Sequence, residues 1–103
     1  MQAFAALADP TRRRIVDLLA KGERSAGDVG RHFTLTQPAV SQHLRTLRDA
    51  GLVRVRNDAQ RRMYSLDAKG LAEIDKWLSR YRTFWTKHLD ALERALQDED
   101  DKK

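Results

Sequence analysis

Apolar positions along the chain fall into blocks whose spacing changes from helical to strand-like and back. In the opening segment, MQAFAALA, Phe4 and Leu7 share one side of a short helix. Asp9-Pro10 starts a second helix: the Asp side chain can accept from the first free backbone N–H groups, and Pro at the first helical position has no N–H to lose. It runs from about Pro10 to Ala20 with Ile15, Leu18 and Leu19 as its apolar stripe, and Lys21-Gly22 stops it. Ser25 caps a third segment, AGDVGRHF, in which Val29 and Phe33 lie four apart on one face and the glycines weaken helix propensity. Thr34-Leu35-Thr36 is a turn, and Thr36 caps a helix over about 36–50 that Gly51 ends. On that helix Val40, Leu44 and Leu47 cluster within about 40°, while Pro38, Gln42, Arg45 and Thr46 fall opposite and Ser41 on the border.

From Leu52 the period drops to two. LVRVR alternates apolar and basic residues, NDAQ supplies a turn and RRMYSL returns, which predicts a hairpin over about 52–66 bearing Arg54, Arg56, Arg61 and Arg62. The helical period then resumes over about 68–97, where Leu71, Ile74, Leu78, Tyr81, Trp85, then His88 or Leu89, Leu92, and Ala95 or Leu96 recur in steps of three and four, the seam of a helix that packs along another. Some 30 residues at 1.5 Å each give about 45 Å of helix, against a radius of gyration near 13 Å for a 100-residue domain. A helix that outruns its own domain predicts that its far half is buried on a second copy. The last six residues, DEDDKK at 98–103, read as a charged tail without structure.

The predicted class is therefore mostly α with a small β-hairpin wing: one domain over residues 1–97, in the order of a winged helix-turn-helix with a long C-terminal dimerisation helix. In that arrangement the helix at 36–50 enters the major groove, and the arginine-rich hairpin lies along the backbone or in a minor groove. Charge supports this. Residues 1–66 hold 12 Lys and Arg against 6 Asp and Glu, and the remainder hold 8 against 9, so the net +5 belongs to the first two-thirds. Fourteen of the 20 cations are Arg, the side chain suited to bidentate phosphate and guanine contacts. Zero cysteines exclude disulfides, thiolate metal sites and Cys nucleophiles, and fit a cytoplasmic setting. No apolar stretch reaches the roughly 20 residues of a membrane span, and neither a span nor a secretory signal is expected.

The strings ADPTRRRIVDLL, TQPAVSQHLRTLRDAGLVRVR and RRMYSL together resemble the ArsR/SmtB family of bacterial winged-helix transcriptional regulators over nearly the whole chain. The resemblance implies a homodimer joined through the first and last helices that binds an imperfect palindrome of double-stranded DNA, usually as a repressor. It implies that Gln37, Ala39, Ser41, Gln42, His43 and Arg45 read DNA while the wing arginines meet backbone; the apolar spacing supplies the residues of the expected dimer seam, Phe4, Leu7, Leu71, Ile74, Leu78, Tyr81, Trp85, Leu89 and Leu92. The metal-sensing members use a Cys-containing third helix or paired acidic and His ligands on the last. Here the third helix is SAGDVGRHF and the last has one histidine, His88, so the resemblance is to the metal-independent branch, with no metal and no cofactor expected.

Other readings of the same residues stand beside these. His43 lies nearer the core edge of its helix, which favours packing over base contact. Arg12, Arg13 and Arg14 read equally as phosphate contacts or as a solvated face. The aromatics Trp77, Tyr81, Phe84 and Trp85 read first as a dimer seam and second as a pocket for a small-molecule effector of unknown identity. His32, His43 and His88 are too scattered for a catalytic set, and Ser41 has no His–Asp relay, so enzymatic activity is not expected. The rival from another class is a winged-helix protein-interaction module with only weak, non-specific DNA affinity.

Overall fold

The computed structural model describes residues 2–101, side chains through residue 99, and contains six helices and a three-stranded sheet: α1 (Gln2–Leu7), α2 (Pro10–Leu19), β1 (Arg24–Ser25), α3 (Ala26–Phe33), α4 (Gln37–Asp49), β2 (Val53–Asp58), β3 (Arg61–Leu66), α5 (Ala68–Ser79) and α6 (Arg82–Asp101). Four of the six helix starts carry a capping side chain. Asp9 accepts from the Arg12 N–H at 3.0 Å, Ser25 from Asp28 at 3.2 Å, Thr36 from Ala39 at 3.3 Å and Asp67 from Lys69 at 3.0 Å. At the far end of α4 the Gly51 N–H donates to the Arg48 carbonyl and the Leu52 N–H to that of Leu47, a Schellman closure that φ +76° at Gly51 permits. It turns the chain directly into β2 and buries Leu52.

Ile15, Leu18 and Leu19 of α2, Val29 of α3, and Val40, Leu44 and Leu47 of α4 form one core with Leu52, Val53 and Tyr64. Ala3 and Ala6 close it on the α1 side. Gly30 sits where α3 approaches α4. A Cβ there would stand 3.3 Å from Cγ2 of Val40 and 2.7 Å from Nε2 of Gln37, an amide end that can move aside, so a glycine that weakens α3 as an isolated helix eases its packing on Val40.

Three expectations need correction. The hairpin is not alone: β1 pairs antiparallel with β3, giving the strand order β1-β3-β2, because Arg24 and Ser25 pass beside Tyr64 and Met63 before α3 begins. The helix expected over 68–97 is two helices. At the break the Arg80 N–H donates to Trp77 and the Tyr81 N–H to Leu78, both tight three-residue bonds, while Ser79 Oγ donates to the Lys76 carbonyl at 2.8 Å and takes an acceptor from the ladder. The helix resumes with Trp85 donating to Tyr81. Lastly, residues 98–101 of the expected tail continue α6, and of that tail Lys102 and Lys103 lie outside the described residues.

Candidate DNA-binding surface

Helix α4 presents its polar half outward. Gln37, Pro38, Ser41, Gln42, Arg45 and Arg48 are exposed, Ala39 is half-buried, and Thr46 is turned back onto its own helix, its hydroxyl donating to the Gln42 carbonyl at 3.0 Å. His43 does not share this face. It is half-buried, with Nδ1 fully enclosed and without a hydrogen-bond partner, so it packs rather than reaching out. Gln37 is exposed yet bends back over Gly30, so its amide must swing away from α3 to meet a ligand.

The antiparallel register sorts the wing arginines. Pairing Val55 with Tyr64 and Asn57 with Arg62 sets these residues, with Val53 and Leu66, on one face of the sheet, and sets Arg54, Arg56, Asp58, Arg61, Met63 and Ser65 on the other. Only Arg62 therefore faces α4, its guanidinium 5.9 Å from the Tyr64 ring centroid. Between α4 and the wing lies a cleft of about 550 Å³ lined by Ser41, Arg45, Arg48, Asp49, Arg62 and Tyr64. Three guanidinium groups against one carboxylate make it an anion-attracting concavity. Arg48 escaped the sequence reading, although it lies one turn beyond Arg45 at the i+3 position, about 80° from Val40 on the helical wheel.

The remaining wing arginines are engaged. Arg56 donates to Glu23 through Nε at 2.8 Å and Nη2 at 2.6 Å, a two-pronged pair that holds the Glu23 carboxyl below its usual range and raises Arg56 above its own. Arg61 pairs with Asp58 at 3.3 Å, and Arg54 donates to Ser65 Oγ at 3.4 Å. The cluster on α2 has a different task. Arg12 donates to the Ala6 and Ala5 carbonyls and Arg13 to those of Leu7 and Ala8, so both cap α1, whereas Arg14 lies 5.0 Å over the Phe33 ring. Each of the three thus has a partner within the protomer.

The expected seam divides in two. Leu7, Leu71 and Ile74 pack on the protomer's own core and Leu78 is half-buried. Phe4, Trp77 and Tyr81 form an aromatic ladder, with centroids 5.1 Å and 4.9 Å apart, that leads from α1 along α5 to the break. Beyond it Phe84, Trp85, Leu89, Leu92 and Leu96 are all exposed. The histidines do not converge: the His32 ring is 3.2 Å from the Asp28 carbonyl and His88 lies against Phe84 at 4.1 Å. Among the described residues no group of three or more His, Cys, Asp or Glu could hold a metal ion, and no helix is long and apolar enough to cross a membrane.

Residues 9–55, from the cap of α2 into β2, match the model of the bacterial regulatory proteins of the arsR family. A regulator of Mycobacterium tuberculosis, HTH-type transcriptional regulator Rv2034, is 43% identical over 97% of this chain and 91% of its own. This chain belongs to the arsR family. The transcriptional repressor SdpR of Bacillus subtilis is 39% identical over 73% of this chain and 83% of its own. Among solved structures, a possible transcriptional regulator for arsenical resistance superposes with a TM-score of 0.73 at 41% identity, covering 89% of this chain and 93% of that one. The homodimeric winged helix-turn-helix DNA-binding domain of Mb0332 from Mycobacterium bovis gives 0.66 at 27% identity, covering 80% of this chain and 76% of that one. The fold is a winged helix-turn-helix, and this arsR-family chain is a DNA-binding transcriptional regulator, not an enzyme.

Proposed function

We propose that the chain works as a homodimer that represses transcription by binding a near-palindromic operator, with α4 in the major groove and the wing over the adjacent backbone. The observation that carries this is the continuity of the exposed polar face of α4 with the arginine-lined cleft against Arg62. In this reading Ser41, Gln42 and Arg45 meet base edges, with Gln37 joining them once it swings off Gly30, and Ala39 leaves room for the groove floor. Arg48 and Arg62 hold phosphate and set the register of the helix in the groove. A dimer related by a two-fold axis presents two such helices to successive major grooves about 34 Å apart, which requires the symmetric operator. The homodimeric state of the similar Mb0332 domain and the exposed stripe of α6 favour that assembly.

The test is a salt-titrated binding assay on the DNA upstream of the protein's own gene and on a scrambled duplex of equal length. A preference of about a thousandfold for the upstream fragment is expected, unchanged by a chelator. Gln42→Ala or Arg45→Ala should cut that preference by about tenfold, and Arg62→Ala should weaken both duplexes alike. Equal, weak binding to both duplexes by the unaltered protein would favour a protein-interaction module instead.

A further inference from the structure

We infer that Glu23 is a specificity-setting residue: by clamping Arg56 it keeps a wing arginine from serving as a phosphate contact, and so lowers affinity for DNA of any sequence while leaving base reading to α4. This rests on the DNA-binding reading above. Three observations carry it. First, the pair is built across the sheet. Glu23 lies two residues before Ser25, which pairs with Met63, which in turn pairs with Arg56, so the carboxylate reaches over β3 from one edge of the sheet to the other. Second, both prongs are used. Nε and Nη2, the two parallel donors with which Arg56 could grip a phosphate, already donate to the two Glu23 oxygens at 2.8 and 2.6 Å. Third, the pair lies on the face of the sheet opposite Arg62, so removing Arg56 from service leaves the cleft against α4 intact.

The consequence follows from counterion release. An arginine strengthens non-specific binding when its charge neutralises a phosphate and frees a condensed cation. Arg56 with Glu23 attached brings no net charge, and a phosphate that displaced the carboxylate would still face it across the sheet. Arg62 and Arg54 have no carboxylate so placed, and of the two Arg62 faces α4, where it remains able to neutralise backbone. The pair is more than half open to solvent on the Arg56 side, so its worth lies less in stability than in the charge it hides.

A four-protein cycle separates this masking from the mere gain of a positive charge. Wild type, Glu23→Gln, Arg56→Gln and the double variant are titrated with salt against a random-sequence duplex, and each is eluted from heparin. Glu23→Gln should steepen the slope of log K on log salt by about 0.9 per protomer, Arg56→Gln alone, which bares the Glu23 carboxylate, should flatten it by clearly less than Arg56→Gln does beside Glu23→Gln, and the double variant should return to the wild-type slope. If Arg56→Gln flattens the slope as much in the wild-type background as beside Glu23→Gln, Arg56 contacts phosphate despite its partner and the inference is overturned. An unchanged slope in Glu23→Gln overturns it too. Circular dichroism and urea midpoints confirm that the four fold alike, and Glu23→Ser replaces Glu23→Gln should the latter unfold. Failure of the DNA-binding reading shows separately, as wild type that does not bind duplex; the order of elution from heparin then still reports whether Arg56 is masked.

Discussion

Thr34 ends α3 at φ 54° and ψ 39°, in the left-handed region that a β-branched side chain enters only with strain. The fold holds it there because that conformation lets the Gly30 carbonyl accept from both the Thr34 and the Leu35 N–H, closing α3 and aiming the chain at Thr36, the cap of α4. Asn tolerates the left-handed region better and keeps a polar side chain at this exposed position. Thr34→Asn should therefore stabilise the protein by about 0.5–1 kcal/mol, read as a rise of about 2–6 °C in Tm by calorimetry. A fall in Tm would mean that contacts of the Thr side chain outweigh the strain. The position also shows what a sequence conveys residue by residue. Asp9, Ser25 and Thr36 were legible as caps, because a cap is a local bond between a side chain and a backbone three residues on. Gly30 and the Arg12–Arg13 pair were legible in kind and not in purpose. What fills the space beside Gly30 comes from α4, and the carbonyls that Arg12 and Arg13 cap belong to α1.

Among elements, the sheet is held less by length than by ion pairs at its edge. β1 has two residues, and Asp28, in the first turn of α3, ties it down by accepting from Arg24 at 2.9 Å while also accepting from Arg31 at 3.1 Å. The Arg24 hydrogen bond, then that of Arg31, holds the Asp28 carboxyl below its ordinary value of 3.8; Arg56 does the same to Glu23, ordinarily 4.5, and the backbone N–H of Arg12 to Asp9. A carboxyl whose pKa is lower folded than unfolded adds stability that is complete above the unfolded value and is lost as pH falls through the folded one. Stability should thus be flat from neutrality to about pH 5 and fall steadily below it. Asp28→Asn should lower the urea midpoint at pH 7 and lose that effect progressively as pH falls through the lowered pKa of the native carboxyl; a deficit that does not shrink with falling pH would assign the loss to packing. Such a strand is nearly invisible in sequence, since two residues carry no period. The hairpin was visible from its alternation, although its turn puts positive φ on Ala59 alone of its two central residues, a type II′ pattern in which Gly is the usual occupant. The break between α5 and α6 left no Pro or Gly as a mark, only a serine whose hydroxyl turned inward.

At the scale of the whole molecule the single chain is too open to be the finished object. Its radius of gyration is 18.7 Å and its long dimension 64 Å, against about 13 Å expected for the radius of a compact chain of this length. Its accessible surface is 7678 Å², whereas a compact monomer of 11.9 kDa should expose about 5,900 Å². The excess, about 1,800 Å² per protomer, doubles in a pair to within the range of obligate homodimers, roughly 2,000–5,000 Å². It is concentrated on α6, where every residue described is exposed and where Trp85, Leu89, Leu92 and Leu96 repeat in steps of four, three and four. The ladder of Phe4, Trp77 and Tyr81 carries the same apolar surface back to α1. Trp85 sits where the two parts meet, outside the protomer's core, so its loss tests assembly without disturbing the fold. If the proposed dimer closes over α6, Trp85→Asp buries a carboxylate in it and should raise the dimer dissociation constant by about 30-fold or more. Sedimentation should then show the 11.9 kDa species at concentrations where wild type is paired, with an unchanged helical signal in circular dichroism. Operator affinity should fall with it, because two half-sites read by separate chains lose the effective concentration that one rigid dimer provides. A Trp85→Asp protein that still sediments as a dimer would move the seam off α6 and onto α1 and α5.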